Sequence, residues 1–91
     1  MMQQTRRTRL EIMLNVLSAV KEGVNKPTRI MYAANMSWNP TKKILEKLLD
    51  EGFLEVTEEP LGRRSKNRYE ITEKGIKVLE YFYGAQELIS L

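Results

Sequence analysis

Cations are the side chains of this 91-residue sequence whose spacing points to chemistry. The stretch GRRSKNR, positions 62–68, sets Arg63, Arg64, Lys66 and Arg68 close together, with Gly62 and Asn67 as turn chemistry. Arginine and lysine side chains offer hydrogen-bond donors and a positive charge, so their natural counterpart is an anionic oxygen. A second group, Asn39, Lys42, Lys43, Glu46 and Lys47, repeats at the three- and four-residue spacing of one helix face. A third, Arg6, Arg7 and Arg9, opens the chain. Cysteine and histidine are both absent. That removes a disulfide frame, a thiolate nucleophile, a cysteine–histidine zinc site and a histidine general base. The acidic residues sit mostly among lysines, and no glycine-rich phosphate loop occurs. The expectation is a binding protein with no catalytic residues, no cofactor, no metal and no small-molecule ligand.

The positioning elements must come from one small domain spanning 1–91. With 42% hydrophobic residues the composition suits a soluble globule, and a chain of this length buries only about 60–65% of its unfolded surface. Dimerisation is a common remedy for so thin a margin. The net charge is only +3, but its clustering favours a polyanionic partner. No apolar run approaches a membrane span and the start lacks a signal-peptide core. A cytoplasmic, nucleoid-associated location follows as the expectation.

Periodicity predicts the elements. In TRLEIMLNVLSAVKEG, residues Leu10, Met13, Leu14, Leu17 and Val20 form one helical stripe, and Ile12, Val16 and Ala19 form a second. A helix apolar on two sides is deeply buried or shared with a partner. A brief helix, TRIMYAAN, follows Pro27, with Thr28 as its expected cap. The third helix lies in SWNPTKKILEKLLDEG, capped by Asn39 with Pro40 first in the helix, or by Ser37. Ile44, Leu45, Leu48 and Leu49 face inward there with Thr41 beside them, Trp38 falls toward the buried side, and the lysines face out. FLEVTEE and RYEIT alternate as strands, with Leu54, Val56, Tyr69 and Ile71 inward and a loop of roughly eight residues between them. Thr72 caps a last helix over 73–91, where Ile76, Leu79 and Tyr83 share one side and Val78, Phe82, Ala85 and Ile89 another. Gly84 lies inside that run and is a place for it to bend or stop.

Three helices, a hairpin and a fourth helix, with a short turn between the second and third, make a helix-turn-helix followed by a β-wing. The fold class is α+β, mostly α: a winged helix-turn-helix with a three-helix core, a hairpin wing and a C-terminal helix for dimerisation. An α-helix fits the major groove of duplex DNA, where asparagine suits adenine, lysine suits guanine or phosphate, and a carboxylate accepts from cytosine. Asn39, Lys42, Lys43 and Glu46 are the outward residues nearest the leading end of the third helix. The basic tip would then meet the backbone or the minor groove, with residues 1–7 as a flexible basic arm. A lysine–glutamate face also suits a merely solvated helix, and a charged tip also protects a sheet edge. The second apolar stripes, Ile12, Val16 and Ala19 with Val78, Phe82, Ala85 and Ile89, predict a homodimer through the last helix.

RTRLEIMLNVLSAVKEG, TRIMYAANMS, KKILEKLLDEGFLEV and YEITEKGIKVLEYF together resemble the archaeal winged helix-turn-helix family of predicted transcriptional regulators. That family includes small chromatin-associated DNA-binding proteins of Sulfolobus. The resemblance implies a dimer joined through the C-terminal helix and a third helix in the major groove, which adds Lys47 to the groove-facing positions. Pro40 and Thr41 depart from the usual helix former and larger apolar residue. The wing is longer and more basic than in the chromatin-type members, and the last helix is short for a long coiled coil. These differences favour a regulator over a packaging protein. The expected function is a sequence-specific, homodimeric, duplex-DNA-binding transcriptional regulator. Two other readings fit the same features: a nucleoid protein with little sequence preference, and a protein–protein winged-helix module of a transcription assembly.

Overall fold

The computed structural model describes residues 8–61 and 64–89, with 59–61, 64–66 and 86–89 described by backbone alone. Arg6, Arg7 and the expected arm lie outside the described residues, as does Arg63. The order is α1 (Arg9–Lys21), α2 (Pro27–Ala33), α3 (Trp38–Asp50), β1 (Leu54–Leu61), β2 (Arg64–Ile71) and α4 (Glu73–Ile89). This is the expected winged helix arrangement of four helices and one antiparallel hairpin.

A capping box starts α1: the Glu11 amide donates to Thr8 Oγ1 at 3.0 Å and the Thr8 amide donates to Glu11 Oε1 at 2.7 Å. The buried face of α1 is carried by Val16, Leu17 and Val20. The expected division into two stripes is therefore corrected. Val16 is 0% exposed within one chain and belongs to the core, while Leu10 is 46% exposed. The domain closes around α1 more widely than one narrow stripe, because α2, α4 and β2 all pack on it.

Helix α2 starts at Pro27, not behind a Thr28 cap. Proline has no amide hydrogen to satisfy and a φ already set for a helix, so the first helical position suits it. Asn35 follows α2 with φ 57, a left-handed conformation that asparagine tolerates, and it turns the chain into α3. Of the two caps expected for α3, Ser37 holds the position. Asn39 and Pro40 fall inside the first turn, where a missing amide hydrogen breaks no helical bond. Thr41 is fully buried, and its hydroxyl donates to the Ser37 carbonyl at 2.7 Å. Polar matter in the core is thus satisfied locally. Ile44, Leu45 and Leu48 complete the buried face of α3.

The core gathers Val16, Leu17, Val20, Ile30, Ala34, Ile44, Leu45, Leu48, Leu54, Tyr69 and Leu79. The wing departs from expectation in length. Its strands pair from Leu54 opposite Ile71 to Leu61 opposite Arg64, which leaves only positions 62–63 as the connection. Asn67 therefore lies in a strand, opposite Glu58, and not in a turn. Val56 is 43% exposed because the ribbon leaves the body after its first residues.

A dense junction fixes the base of the ribbon. Gly52 takes φ 80 after α3, a conformation that costs glycine little. The Thr72 hydroxyl donates to the Gly52 carbonyl at 2.6 Å and accepts from the Gly75 amide at 3.1 Å, so one side chain caps α4 and closes the corner. The Thr72 amide donates to the Phe53 carbonyl at 3.0 Å, and the Lys74 ammonium lies 4.9 Å from the Phe53 ring centroid. On the other strand, the Tyr69 amide donates to the Asn25 carbonyl at 2.8 Å. Helix α4 runs through Gly84 without stopping, and Tyr83 hydrogen-bonds Ser18 of α1 at 3.0 Å.

At position 75 an added Cβ would meet the Phe53 carbonyl oxygen and come within 2.7 Å of Ile71 Cγ1. Gly75→Ala should therefore cost about 1–3 kcal/mol of unfolding free energy, read as a lower midpoint in urea. Position 84 has nothing within 4 Å, so Gly84→Ala should stabilise by up to about 1 kcal/mol in the same titration.

Candidate nucleic-acid interface

Because Thr41, Ile44, Leu45 and Leu48 turn α3 inward, its opposite face carries Asn39, Lys43, Glu46 and Asp50, all exposed. Lys42 lies on the flank toward the wing and Lys47 on the other flank, about 100° per residue around the axis. Lys47 pairs with Glu51 at 3.1 Å, one turn on. Among the described residues, Lys42 and Lys43 make no ion pair. Their charges are available to an external anion, whereas Lys47 must first give up a partner, a modest cost for an exposed pair.

The wing stands beside this helix. A groove of about 630 Å³ separates α3 from β2, lined by Thr28, Trp38, Lys42, Glu46, Asn67 and Tyr69 among others. The helix and the ribbon therefore share one continuous surface. Burial and then the Glu46 carboxylate raise the Tyr69 phenol above its ordinary pKa of 10.0. The hydroxyl stays protonated at neutral pH and remains a donor in the groove wall.

Two residues of this groove lie elsewhere than the sequence led one to expect. Trp38, expected to pack inward, is 40% exposed at the start of α3, where it lines the groove. Asn67, expected to shape a turn, lines the groove. The alternation of RYEIT could have found Asn67, because extending it one residue backward puts Asn67, two before Tyr69, on the Tyr69 side.

The register also changes the electrostatics of the wing. Glu55, Glu58, Glu59 and Glu70 balance Arg63, Arg64, Lys66 and Arg68, so the ribbon as a whole is neutral. Charge is separated along its length. Glu55 lies opposite Glu70 at the base, Thr57 opposite the half-buried Arg68, Glu59 opposite Lys66, and Leu61 opposite Arg64 near the tip. Positive potential therefore concentrates at the far end of the ribbon.

Of the residues expected to join two copies, Ile12, Ala19, Val78, Phe82 and Ala85 are half-buried in the single chain. Val16 is not available to a partner, being core, and the Ile89 side chain lies outside the described residues. Tyr81 is 72% exposed and meets Phe82 edge to face at 5.3 Å. No helix among the described residues is long and apolar enough to cross a membrane.

Comparison with known proteins agrees with this geometry. The family model for the winged helix-turn-helix matches residues 6–90. An uncharacterized protein of Methanocaldococcus jannaschii is 32% identical over 85 residues, covering 93% of this chain and 79% of that protein. Sso10a-2, a DNA-binding protein from Sulfolobus solfataricus, superposes with a TM-score of 0.65 at 32% identity, covering 92% of this chain and 94% of that one. ZitR of Lactococcus lactis, a zinc-responsive MarR family member also solved in complex with DNA, shares the fold with a TM-score of 0.71 at 20% identity. That match covers 93% of this chain but only 57% of ZitR. With the capped three-helix core, the hairpin wing and two relatives above 30% identity in agreement, the chain belongs to the winged helix-turn-helix family.

Proposed function

We propose that this protein is a homodimeric transcriptional regulator that binds duplex DNA with sequence preference. In this reading α3 enters the major groove and the ribbon tip lies on the adjacent backbone or minor groove. The observation that carries it is the shared surface: Lys42 and Lys43, which make no ion pair among the described residues, and the exposed Asn39 on α3 stand beside a ribbon whose sequence puts Arg63 and Arg64 at its far end. Asn39, Lys43 and Glu46 address base edges, and Lys42 and Lys47 address the flanking strands. Arg63, Arg64 and Lys66 neutralise phosphates, while Arg68, half-buried nearer the body, positions the ribbon.

Dimerisation rests on α4. Val78, Phe82 and Ala85 share a side of that helix that one chain covers only in part, with Ile12 and Ala19 of α1 alongside. A second copy would cover it and would place two reading helices about 34 Å apart, one turn of duplex. The likeness to the Sulfolobus DNA-binding protein keeps a second reading open, a nucleoid protein of low sequence preference.

Selection from randomised duplexes followed by a mobility shift with excess competitor decides between the two readings. A regulator retains one selected site, and uniform loss of the complex would favour the nucleoid reading. Lys43→Ala should weaken the selected site by about 1–3 kcal/mol and relax its sequence preference. The Arg63→Ala, Arg64→Ala double variant should weaken all sequences alike and flatten the slope of log K against log salt by about 1.8. An unchanged slope would remove the wing from the interface.

For the dimer, sedimentation equilibrium is the measurement. Wild-type protein should run at twice the chain mass and Phe82→Glu at the chain mass, since a charge placed in an apolar contact costs several kcal/mol. A monomeric wild type would refute the assignment.

A further inference from the structure

We propose that Trp38, Lys42 and Thr28 form a corner that seats the sugar–phosphate backbone of one DNA strand, with the Trp38 indole N–H donating to a phosphate oxygen. This inference rests on the duplex-binding reading above and adds a contact that no cation makes.

Trp38 is the single tryptophan of the chain and the first residue of α3. It keeps 40% of its surface in water, although an indole gains more than any other side chain from being covered. Indole Nε1–H is a donor with no acceptor function, and among the described residues the Trp38 side chain makes no hydrogen bond. Lys42 lies one turn further along the same edge of α3. Thr28, exposed on α2, presents a hydroxyl at the same groove. Three donor-bearing residues from two helices thus line the same groove, and a phosphate is an acceptor with oxygens enough to take a bond from each.

The end beside Glu46 is closed to an anion. Glu46 follows Lys42 by one more turn and acts on Tyr69 there. A phosphate repelled from Glu46 is confined to the Trp38 end, which fixes the register of the strand along the groove. The occupant follows from the neighbouring surfaces. On one side lies the α3 face directed at a major groove, on the other a ribbon directed at the adjacent backbone or minor groove. The wall between the two grooves of a duplex is a sugar–phosphate strand. That strand must cross between α3 and β2, over Trp38.

The sole tryptophan makes the test direct. Emission of the wild-type protein, and its quenching by iodide, are followed while a duplex of about 30 base pairs is added at low salt. The expected result is a change in emission and loss of iodide access at saturation. Trp38→Phe, which keeps an aromatic ring but removes the indole N–H, should bind about tenfold more weakly with an unchanged salt slope, since it loses a hydrogen bond to a charged acceptor but no charge. The wild-type quenching needs no substitution, so it decides the matter even where the variant loses stability. A duplex that retards the protein in a gel yet leaves emission and iodide access unaltered overturns the corner while the duplex-binding function stands. Equal affinity of Trp38→Phe overturns it as well. Equal protection by a single strand of the same length would mean base stacking on Trp38 and would also overturn it. If no duplex binds at low salt, the regulator reading fails, and this inference with it.

Discussion

The closure of the hairpin base is the constraint on which the shape of this protein depends. A two-stranded ribbon has marginal stability in water and cannot hold a direction unaided. Here Leu54 and Tyr69 are buried in the body, and the Thr72 hydroxyl ties the corner after α3 to the first turn of α4. The Tyr69–Asn25 bond holds the opposite strand to the segment between α1 and α2. Each such bond is worth only about 1 kcal/mol net. Together with the tight approach of Gly75 to Phe53 and Ile71, they determine the angle at which the ribbon leaves. Since α3 ends in the same junction, α3 and the ribbon are held as one piece.

That rigidity makes the distribution of charge meaningful. A neutral ribbon with Glu55 and Glu70 at its base and Arg63 and Arg64 at the end of its sequence loop presents positive potential where it projects furthest. The carboxylates of Glu55 and Glu70 stand directly opposite, an arrangement that costs stability in a strand pair. Near the body, negative charge on the ribbon and Glu46 on α3 discourage an anion, while Lys42 and Lys43 attract one. Under the proposed function, a polyanion would be guided toward a particular lie instead of settling anywhere on a basic surface, which is how electrostatics contributes orientation more than affinity.

Much of this was legible in the residues. The leucines of α3 recur at helical spacing and are buried, Thr72 stands where a cap was expected and makes the bond, and the lysines of α3 are exposed. Other features needed finer signals. Thr8 and Glu11 spell a capping box in sequence, a pattern distinct from hydrophobic periodicity. Pro27 outranked Thr28 as a start signal because a proline at the first helical position loses nothing. Strand length was underestimated because TEEPL and RSKNR are almost wholly polar, although Thr57 to Leu61 pairs with Arg64 to Arg68. Pairing there is held by the ladder itself, which leaves no apolar alternation to read.

By itself, the sequence determined the element order, the inward face of α3 and the absence of cysteine and histidine chemistry, since these depend on local propensity and composition. Tertiary structure decided that members of both apolar stripes on α1 are core, that Trp38 stays partly in water, and which glutamates stand against the wing cations. The physical reason is common to all three. Burial and cross-strand pairing depend on what arrives from distant parts of the chain, and a helical or strand period describes only the element that carries it.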